Sequence, residues 1–264
     1  MAEVDKTQHI GVSDGALVPD QADKSIFSAW RISFFGAIAL LIALPLFSPE
    51  PYWAIIKFIP DGVLRTFQVT VFSIFFALII GLFTGLGRIS RNPLINRIAT
   101  IYVEVVRGIP LLVQLFYIYF ALGQFVNVPR LVAAVIAMSV CYGAYMGEIF
   151  RAGIQSIPKG QMEAALALGL SRGQAIRRVI LPQTFRLILP PVGNEFIALL
   201  KDSSLVSILA VADLLRRGRE YASQTFEYFE AYTVVALVYL ILTLFFSKAV
   251  AAMENRLSGH SRTQ

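Results

Sequence analysis

Residues that carry enzyme chemistry are scarce in this chain. Of its 264 residues, one is cysteine and two are histidine. Cys141 lies within an apolar run, where it can form no disulfide within the chain and is expected to be a small buried hydrophobe. His9 and His260 lie in polar tails, which argues against a histidine-based triad or a metal site inside a membrane.

A phosphate-binding loop is also missing. The run from Gly81 to Gly85 has the glycines of such a loop but no lysine, and it lies inside an apolar segment. Any ATP chemistry must therefore come from another chain, and we expect no cofactor on this one. The pairs Gly81/Gly85 and Gly143/Gly147 are better interpreted as contacts between packed helices.

Charged residues make up only 15% of the chain, whereas hydrophobic residues make up 56% and include 20 phenylalanines. Together with a mean hydropathy of +0.67, this composition indicates a multi-span membrane protein. A helix needs roughly 18 apolar residues to cross a bilayer, and several apolar segments of this chain are near or above that length. They predict an all-α transmembrane fold of about six helices, the first being the shortest. These segments cover about 31–47, 63–87, 99–123, 131–150, 187–211 and 230–252.

The basic residues predict the orientation, because short cytoplasmic loops retain lysine and arginine. With six spans, three basic regions fall on one side: the loop after the second span, the loop after the fourth span and the C-terminal end. Both termini are therefore predicted to be cytoplasmic. The net charge of +6 follows this pattern and argues against nucleic-acid binding. The residues concerned are Arg88, Arg91, Arg97, Arg151, Lys159, Arg172, Arg177, Arg178, Arg186, Lys248, Arg256 and Arg262.

One charged segment lies on the other side. Arg216, Arg217 and Arg219 fall on the predicted outer face, where Asp213 and Glu220 among others offset them. We expect a short helix at the outer surface. The first 29 residues are acidic and lack the basic start of a signal peptide, so they are predicted to form a polar cytoplasmic tail.

A polar, helix-forming stretch separates the fourth and fifth spans. Pro158, two residues after Ser156, predicts a helix start, and Gly169 predicts a left-handed stop. Ser171 with Gln174 predicts a capping box for a second helix, which Pro182 is expected to end.

Small side chains in this stretch would let another protein approach its backbone closely; they are Ala164, Ala165, Ala167 and Gly169. The triplet Glu163-Ala164-Ala165, with Gly169 and Leu181-Pro182, carries the spacing of the EAA loop, and the chain thereby resembles the membrane subunits of ATP-binding-cassette (ABC) importers. Val179 departs slightly, since isoleucine is usual there. The resemblance implies ATPase-coupling residues Glu163, Ala164, Ala165, Gly169, Leu170 and Ser171 within a cytoplasmic coupling loop at 151–185.

Two further runs narrow the resemblance to permeases of polar amino acid importers, of the histidine, glutamine and arginine type. They are 107–115 and 194–205, and the similar region covers about 60–255. Ile109 departs from the threonine that many members have. The resemblance implies a type I ABC importer permease fold with five core helices, so the helix within 30–59 is an N-terminal addition and 256–264 is a cytoplasmic tail.

The resemblance also implies partners. These are a second permease subunit, identical or similar, two nucleotide-binding ATPase subunits that hold ATP and magnesium, and an external amino-acid-binding protein. The expected location is the lipid bilayer of a bacterial plasma (inner) membrane. The outer residues Arg216, Arg217 and Arg219 are the predicted contact with the binding protein. The amino acid carried stays open.

Ionisable residues inside spans are expensive unless they are paired or face water, so they are candidates for a substrate pathway. Glu104 with Arg107, and Glu148 with Arg151, are spaced to pair along a helix. The alternative to a pathway is interhelical pairing, which we favour for Glu148. The candidate pathway residues are Glu104, Arg107, Gln114, Asn194, Glu195, Lys201, Asp202 and Ser203.

The sequence therefore predicts a non-catalytic permease subunit of an ATP-driven amino acid importer. The first alternative is a secondary transporter driven by an ion gradient, which two similar halves of opposite topology would indicate and which ATP dependence would argue against. The second is a membrane-embedded hydrolase, which would need a triad or metal cluster within the spans.

Overall fold

The computed structural model describes residues 28–258, and within that range the chain is helical almost throughout and forms no strand. The predicted N-terminal tail up to residue 27, both histidines, Arg262 and residues 259–264 of the predicted C-terminal tail lie outside the described residues. The helices are α1 (Ala29–Phe47), α2 (Pro49–Phe58), α3 (Pro60–Arg88), α4 (Pro93–Gly108), α5 (Leu111–Phe125), α6 (Arg130–Gln155), α7 (Lys159–Ala167), α8 (Arg172–Ala175), α9 (Leu181–Asp202), α10 (Leu214–Thr225) and α11 (Tyr228–Ser258), with a π turn at Ile176–Ile180 and a 3₁₀ helix at Ser203–Leu209.

The long apolar helices agree with most of the predicted spans. The helices α1, α6, α11 and the stretch formed by α2 and α3 are each long and apolar enough to cross a membrane, and α4 with α5 reaches that standard as a pair. With 22 residues, α9 is about 33 Å long, but its charged residues keep it below the apolarity of the other four. The prediction of an all-α transmembrane fold is confirmed.

The third predicted span, 99–123, is wrong as a single straight helix. The chain breaks between α4 and α5, and the two helices are bent by 109°. Pro110 has no N–H to continue the helix, and the preceding Ile109 is extended, with φ −108° and ψ 131°. The break therefore lies in the middle of an apolar segment.

The fifth predicted span, 187–211, is displaced along the chain. Its helix, α9, ends at Asp202, and the 3₁₀ helix that follows ends at Leu209. The next residue, Ala210, has a φ of 59° and turns the chain towards α10. The predicted stop at Pro182 is also wrong. The chain remains helical there, because Pro182 at the start of α9 follows a π turn that runs on from α8.

The centre of the fold is the packing of α3 against α6, which glycines make close. A Cβ atom added to Gly81 would lie 2.2 Å from the Cβ of Met146, and one added to Gly147 would lie 2.8 Å from Cγ2 of Thr84. The predicted helix contacts through glycine pairs are thus confirmed. Apolar side chains of α5, α6 and α9 complete this core, and Cys141 is buried in it as expected.

A second apolar core lies between α2, α10 and α11, around Ile55, Leu214 and Val234. Large apolar side chains also point outward along most of the long helices, as Phe35, Phe75 and Phe120 do with more than half of their surface exposed. In water such a surface would be unfavourable, whereas lipid or a partner subunit would cover it.

Candidate functional site

The chain projects one polar hairpin (residues 159–175), made of α7, α8 and the turn between them. Gly169 follows the end of α7 with a φ of 83°, a left-handed conformation that glycine adopts without strain. The Ser171 hydroxyl accepts a hydrogen bond from the N–H of Gln174, whose side-chain oxygen accepts one from the N–H of Ser171. The predicted left-handed stop and capping box are both confirmed.

The small residues of the polar hairpin do not all face outward. Ala165 is 3% exposed and Ala175 is fully buried, so both pack inside the hairpin, and the expectation that Ala165 offers its backbone to a partner is wrong. Glu163, Ala164, Gly169 and Ser171 are exposed, and Leu170 is half-buried. Leu168, which sequence reasoning missed, is 84% exposed beside the turn. An apolar side chain in a polar turn was the available signal.

The base of the polar hairpin is tied to the spans by charge. Glu148 on α6 pairs with both Arg88 on α3 and Arg151 on its own helix. The predicted pairing of Glu148 with Arg151 is therefore confirmed, and Arg88 is an additional partner that the sequence did not reveal. This triad holds the ends of α3 and α6 together close to the point where the hairpin begins.

A second polar cluster lies at the far end of α9. The Tyr142 hydroxyl on α6 donates a 2.8 Å hydrogen bond to Oδ2 of Asp202. Glu195 lies within electrostatic range of Tyr142 and of Tyr145, whose rings are 5.9 Å apart. Two candidate pathway residues thus lie near the same pair of tyrosines, and Asp202 contacts one of them. The tyrosines were missed, although two of them three residues apart in an apolar helix were a signal.

Arg107 approaches this cluster from α4. Its guanidinium carbon lies 5.1 Å from the centre of the Tyr145 ring, a cation–π contact. The predicted pair of Glu104 with Arg107 is wrong, since the described residues form no ion pair between them and Arg107 turns towards α6. Both side chains are exposed.

Gln114 closes the break between α4 and α5. It is 7% exposed, and its Nε2 donates to the carbonyl oxygens of Val106 and Ile109, at 2.6 and 2.7 Å. These carbonyls flank the break that Pro110 causes, so an amide side chain supplies donors that the backbone lacks there. Gln114 therefore fixes the geometry of the break next to Arg107.

The remaining pathway candidates separate. Asn194 is half-buried and Lys201 is exposed. Ser203 is fully buried and its hydroxyl donates to the carbonyl of Leu200 at 2.7 Å. The structure therefore gathers Arg107, Glu195 and Asp202 around the tyrosines, while the Ser203 hydroxyl bonds to the backbone at the end of α9.

The predicted outer helix is present as α10, joined to the end of α9 through the 3₁₀ helix and thus far from the polar hairpin. Asp213 caps it, and its carboxylate accepts from the N–H groups of Leu215 and Arg216 and, at 3.4 Å, from the Tyr239 hydroxyl on α11. Burial raises the pKa of the Asp213 carboxyl to about 6, although these hydrogen bonds act in the opposite direction.

The three arginines of α10 differ in their surroundings. Arg217 pairs with Asp61 at the start of α3 and with Glu220, and it lies 5.5 Å from the centre of the Phe58 ring. Arg216 pairs with Glu220 at 2.8 Å. Arg219 is exposed, and the described residues offer it no ion pair. Of the three, Arg219 has its charge available to another molecule.

Within residues 28–258, no three metal-ligating side chains come together. The structure instead presents polar segments on both sides of α9 in the chain, the polar hairpin before it and α10 after it.

Comparison with known proteins finds matches over most of the chain. The family model for the "Binding-protein-dependent transport system inner membrane component" matches residues 77–259. The chain is 40% identical over 208 residues to the glutamine transport system permease protein GlnP of Escherichia coli K12, covering 78% of this chain and 95% of GlnP. It is 38% identical over 213 residues to the L-cystine transport system permease protein TcyB of Bacillus subtilis 168, covering 80% and 90%.

Two solved structures share the fold. One is described as an amino acid ABC transporter with histidines; the similarity has a TM-score of 0.72 at 40% identity and covers 82% of this chain and 98% of that one. The other is the inward-facing MetNI methionine ABC transporter, with a TM-score of 0.61 at 25% identity, covering 75% and 97%.

Proposed function

Since this chain belongs to the family of binding-protein-dependent transport system inner membrane components, we propose that it is the permease subunit of an ABC importer that moves a polar amino acid inward across a bacterial plasma membrane. It has no catalytic activity of its own. A separate ATPase subunit binds ATP and magnesium, hydrolyses the ATP, and docks on the polar hairpin. An external amino-acid-binding protein delivers the substrate at the opposite end, and a second permease subunit completes the pathway.

The observation that carries this proposal is the similarity to GlnP over 95% of its length. The polar hairpin supports the ATPase contact, because it presents an exposed leucine and unpaired charges outside the apolar helices. The basic residues around it support an inner location, since translocating them is unfavourable. We therefore place the hairpin and both termini in the cytoplasm.

The cluster of Arg107, Glu195 and Asp202 is our proposed substrate contact. A zwitterionic amino acid needs a cation for its carboxylate and an acid for its ammonium group, and the two kinds of charge stand here on α4 and α9, which both pack against α6. Tyr142 and Tyr145 lie between them and would shape the passage. Asn194 and Lys201 border the same end of α9.

The test is copurification followed by reconstitution. The chain is coexpressed with candidate ATPase and binding-protein subunits, and ATP hydrolysis in liposomes is measured with glutamine, arginine, histidine and cystine. We expect a stable complex whose hydrolysis rises with one or more loaded binding proteins and is coupled to uptake. Uptake that follows an imposed ion gradient without ATP would contradict the proposal.

The substrate contact needs its own test. Glu195→Gln and Asn194→Ala should change which amino acids compete for uptake while the complex assembles normally. Tyr142→Phe removes one hydroxyl and serves as the conservative comparison. A fall in uptake that is equal for all substrates and follows the yield of complex would reject the contact.

A further inference from the structure

The helix that leaves the polar hairpin contains a π turn. The N–H of Leu181 bonds to the carbonyl of Ile176, five residues earlier, instead of four. Pro182 explains this irregularity, because in a regular α-helix its ring would collide with the carbonyl of Arg178. The wider turn gives the ring room, so the chain stays helical from α8 into α9.

One side chain holds this turn to the hairpin. Gln183 donates from Nε2 to the carbonyl of Val179 in the π turn and to Oε1 of Gln161 on α7, both at 3.1 Å. The Val179 carbonyl can only accept a hydrogen bond, so the Gln183 amide must point its nitrogen, and not its oxygen, towards Val179. Thr184 adds a 2.9 Å bond to the carbonyl of Ile180. A single amide nitrogen therefore connects α7 to the backbone at the start of α9.

The same helix reaches the polar cluster. Glu195 and Asp202 lie on α9, the latter 19 residues beyond Gln183 and hence about 28 Å along the axis. Between Gln183 and Glu195, Ile188 packs closely on α6, since a Cβ atom at Gly153 would lie 2.3 Å from its Cγ1. A change in the angle between α7 and α9 would thus move the far end of α9, and the close packing of α9 on α6 would limit the direction of that movement.

We propose that Gln183 is a positioning residue that transmits movement of the polar hairpin to α9, by fixing the π turn to Gln161. This inference rests on the importer function proposed above. A π turn is rare, occurs mostly as a single-turn irregularity inside an α-helix and is frequent at functional sites, which makes it our choice for the place where this helix yields. The Gln161–Gln183 contact makes that yielding dependent on α7, the element that faces the ATPase.

The test uses the full complex of permease, ATPase and binding protein in liposomes, with the amino acid that stimulates the wild type most strongly among glutamine, arginine, histidine and cystine. Gln183→Leu should lower the stimulation of ATP hydrolysis by the loaded binding protein about fivefold, the factor that one ordinary hydrogen bond contributes to an equilibrium. Complex yield and basal hydrolysis should stay at wild-type levels. Gln161→Leu should act in the same direction, and the double variant should be no worse than Gln183→Leu alone.

Two controls sharpen the result. Gln161→Glu keeps the acceptor for Gln183 and should retain the stimulation. Gln124→Leu, at an exposed glutamine of α5, should have no effect. Full stimulation in Gln183→Leu overturns the inference, as does a fall in basal hydrolysis that tracks complex yield. Failure of the wild-type chain to bind any ATPase would instead contradict the proposed function itself.

Discussion

The polar hairpin and α10 are both short polar helical segments between apolar ones, yet they use their charges in opposite ways. On the hairpin, Glu163 and Arg172 are exposed and form no ion pair with the rest of the described chain. On α10, Arg216 pairs with Glu220, and Arg217 pairs with both Glu220 and Asp61. Charges that are satisfied internally indicate a helix belonging to the protein's own structure, whereas open charges beside an exposed leucine suit a partner.

The largest effect is expected at the turn of the polar hairpin. Gly169→Trp would require a left-handed conformation, which costs a residue other than glycine roughly 1–2 kcal/mol, and would place a bulky ring at the proposed ATPase contact. We expect normal membrane insertion but loss of ATP-coupled uptake. Gly173→Trp is the matched control, since a Cβ atom there meets no neighbour within 4 Å and Gly173 lies in α8. Equal loss in both variants would show that bulk, and not the left-handed turn, matters.

A smaller effect is expected from the charge on α7. Glu163→Lys should weaken binding of the ATPase subunit about tenfold, equivalent to about 1.4 kcal/mol, because it reverses an exposed charge that no internal partner screens. The thermal midpoint of the isolated chain in detergent should not change. Glu163→Gln should give an intermediate affinity in a binding titration. A lowered midpoint with unchanged affinity would mean that Glu163 serves the fold and not the interface.

At the other end, Asp213 predicts a pH dependence of stability. Its folded pKa of about 6 lies above the ordinary value of 3.8, so the folded protein binds this proton more tightly than the unfolded chain does. Stability from this group is therefore greatest below about pH 4, falls as the pH rises towards 6, and stays constant above, with a total change of about 3 kcal/mol. Asp213→Asn keeps a good capping residue without the charge and should lack this fall. Parallel unfolding midpoints for both proteins between pH 4.5 and 7.5 would contradict the prediction.

The smallest effects separate two neighbouring arginines on α10. Arg217→Ala removes two surface ion pairs and a cation–π contact, so it should destabilise the chain by about 1–2 kcal/mol. Arg219→Ala should leave stability unchanged but make stimulation by the loaded binding protein weaker and less salt-sensitive, because an exposed charge mainly steers encounter. Thermal unfolding and ATP hydrolysis across a salt series measure the two effects. If Arg217→Ala were the variant that changed only the salt dependence, the contrast between open and internally paired charges would fail.

Much of the fold could be predicted from local sequence. Runs of apolar residues locate the spans, and Gly169 and Ser171 mark the turn and cap of the polar hairpin, because backbone conformation and capping depend on neighbours a few residues away. Pro110 and Pro182 were visible as irregularities, but their outcomes differ. Pro110 breaks a span, whereas the chain stays helical at Pro182 because a π turn makes room for its ring. Gln183 connects that π turn to α7.

The candidate site was predictable only in part. The sequence placed Arg107, Glu195 and Asp202 at membrane depth, but Arg107 was assigned to Glu104 on its own helix and instead lies over Tyr145 of α6. Gln114 was expected to line a pathway and is a buried donor to a broken helix.

By itself, the sequence determined that this is a helical membrane protein with one polar hairpin, because hydropathy, glycine geometry and capping act over a few residues. Only the tertiary structure decided which charges are available to a partner. Arg217 is committed to Asp61, 156 residues earlier in the chain, and Asp202 to Tyr142, 60 residues earlier. Such pairs form when separate helices pack side by side, and the energy of a contact depends on the distance between its atoms, which spacing along the chain does not encode.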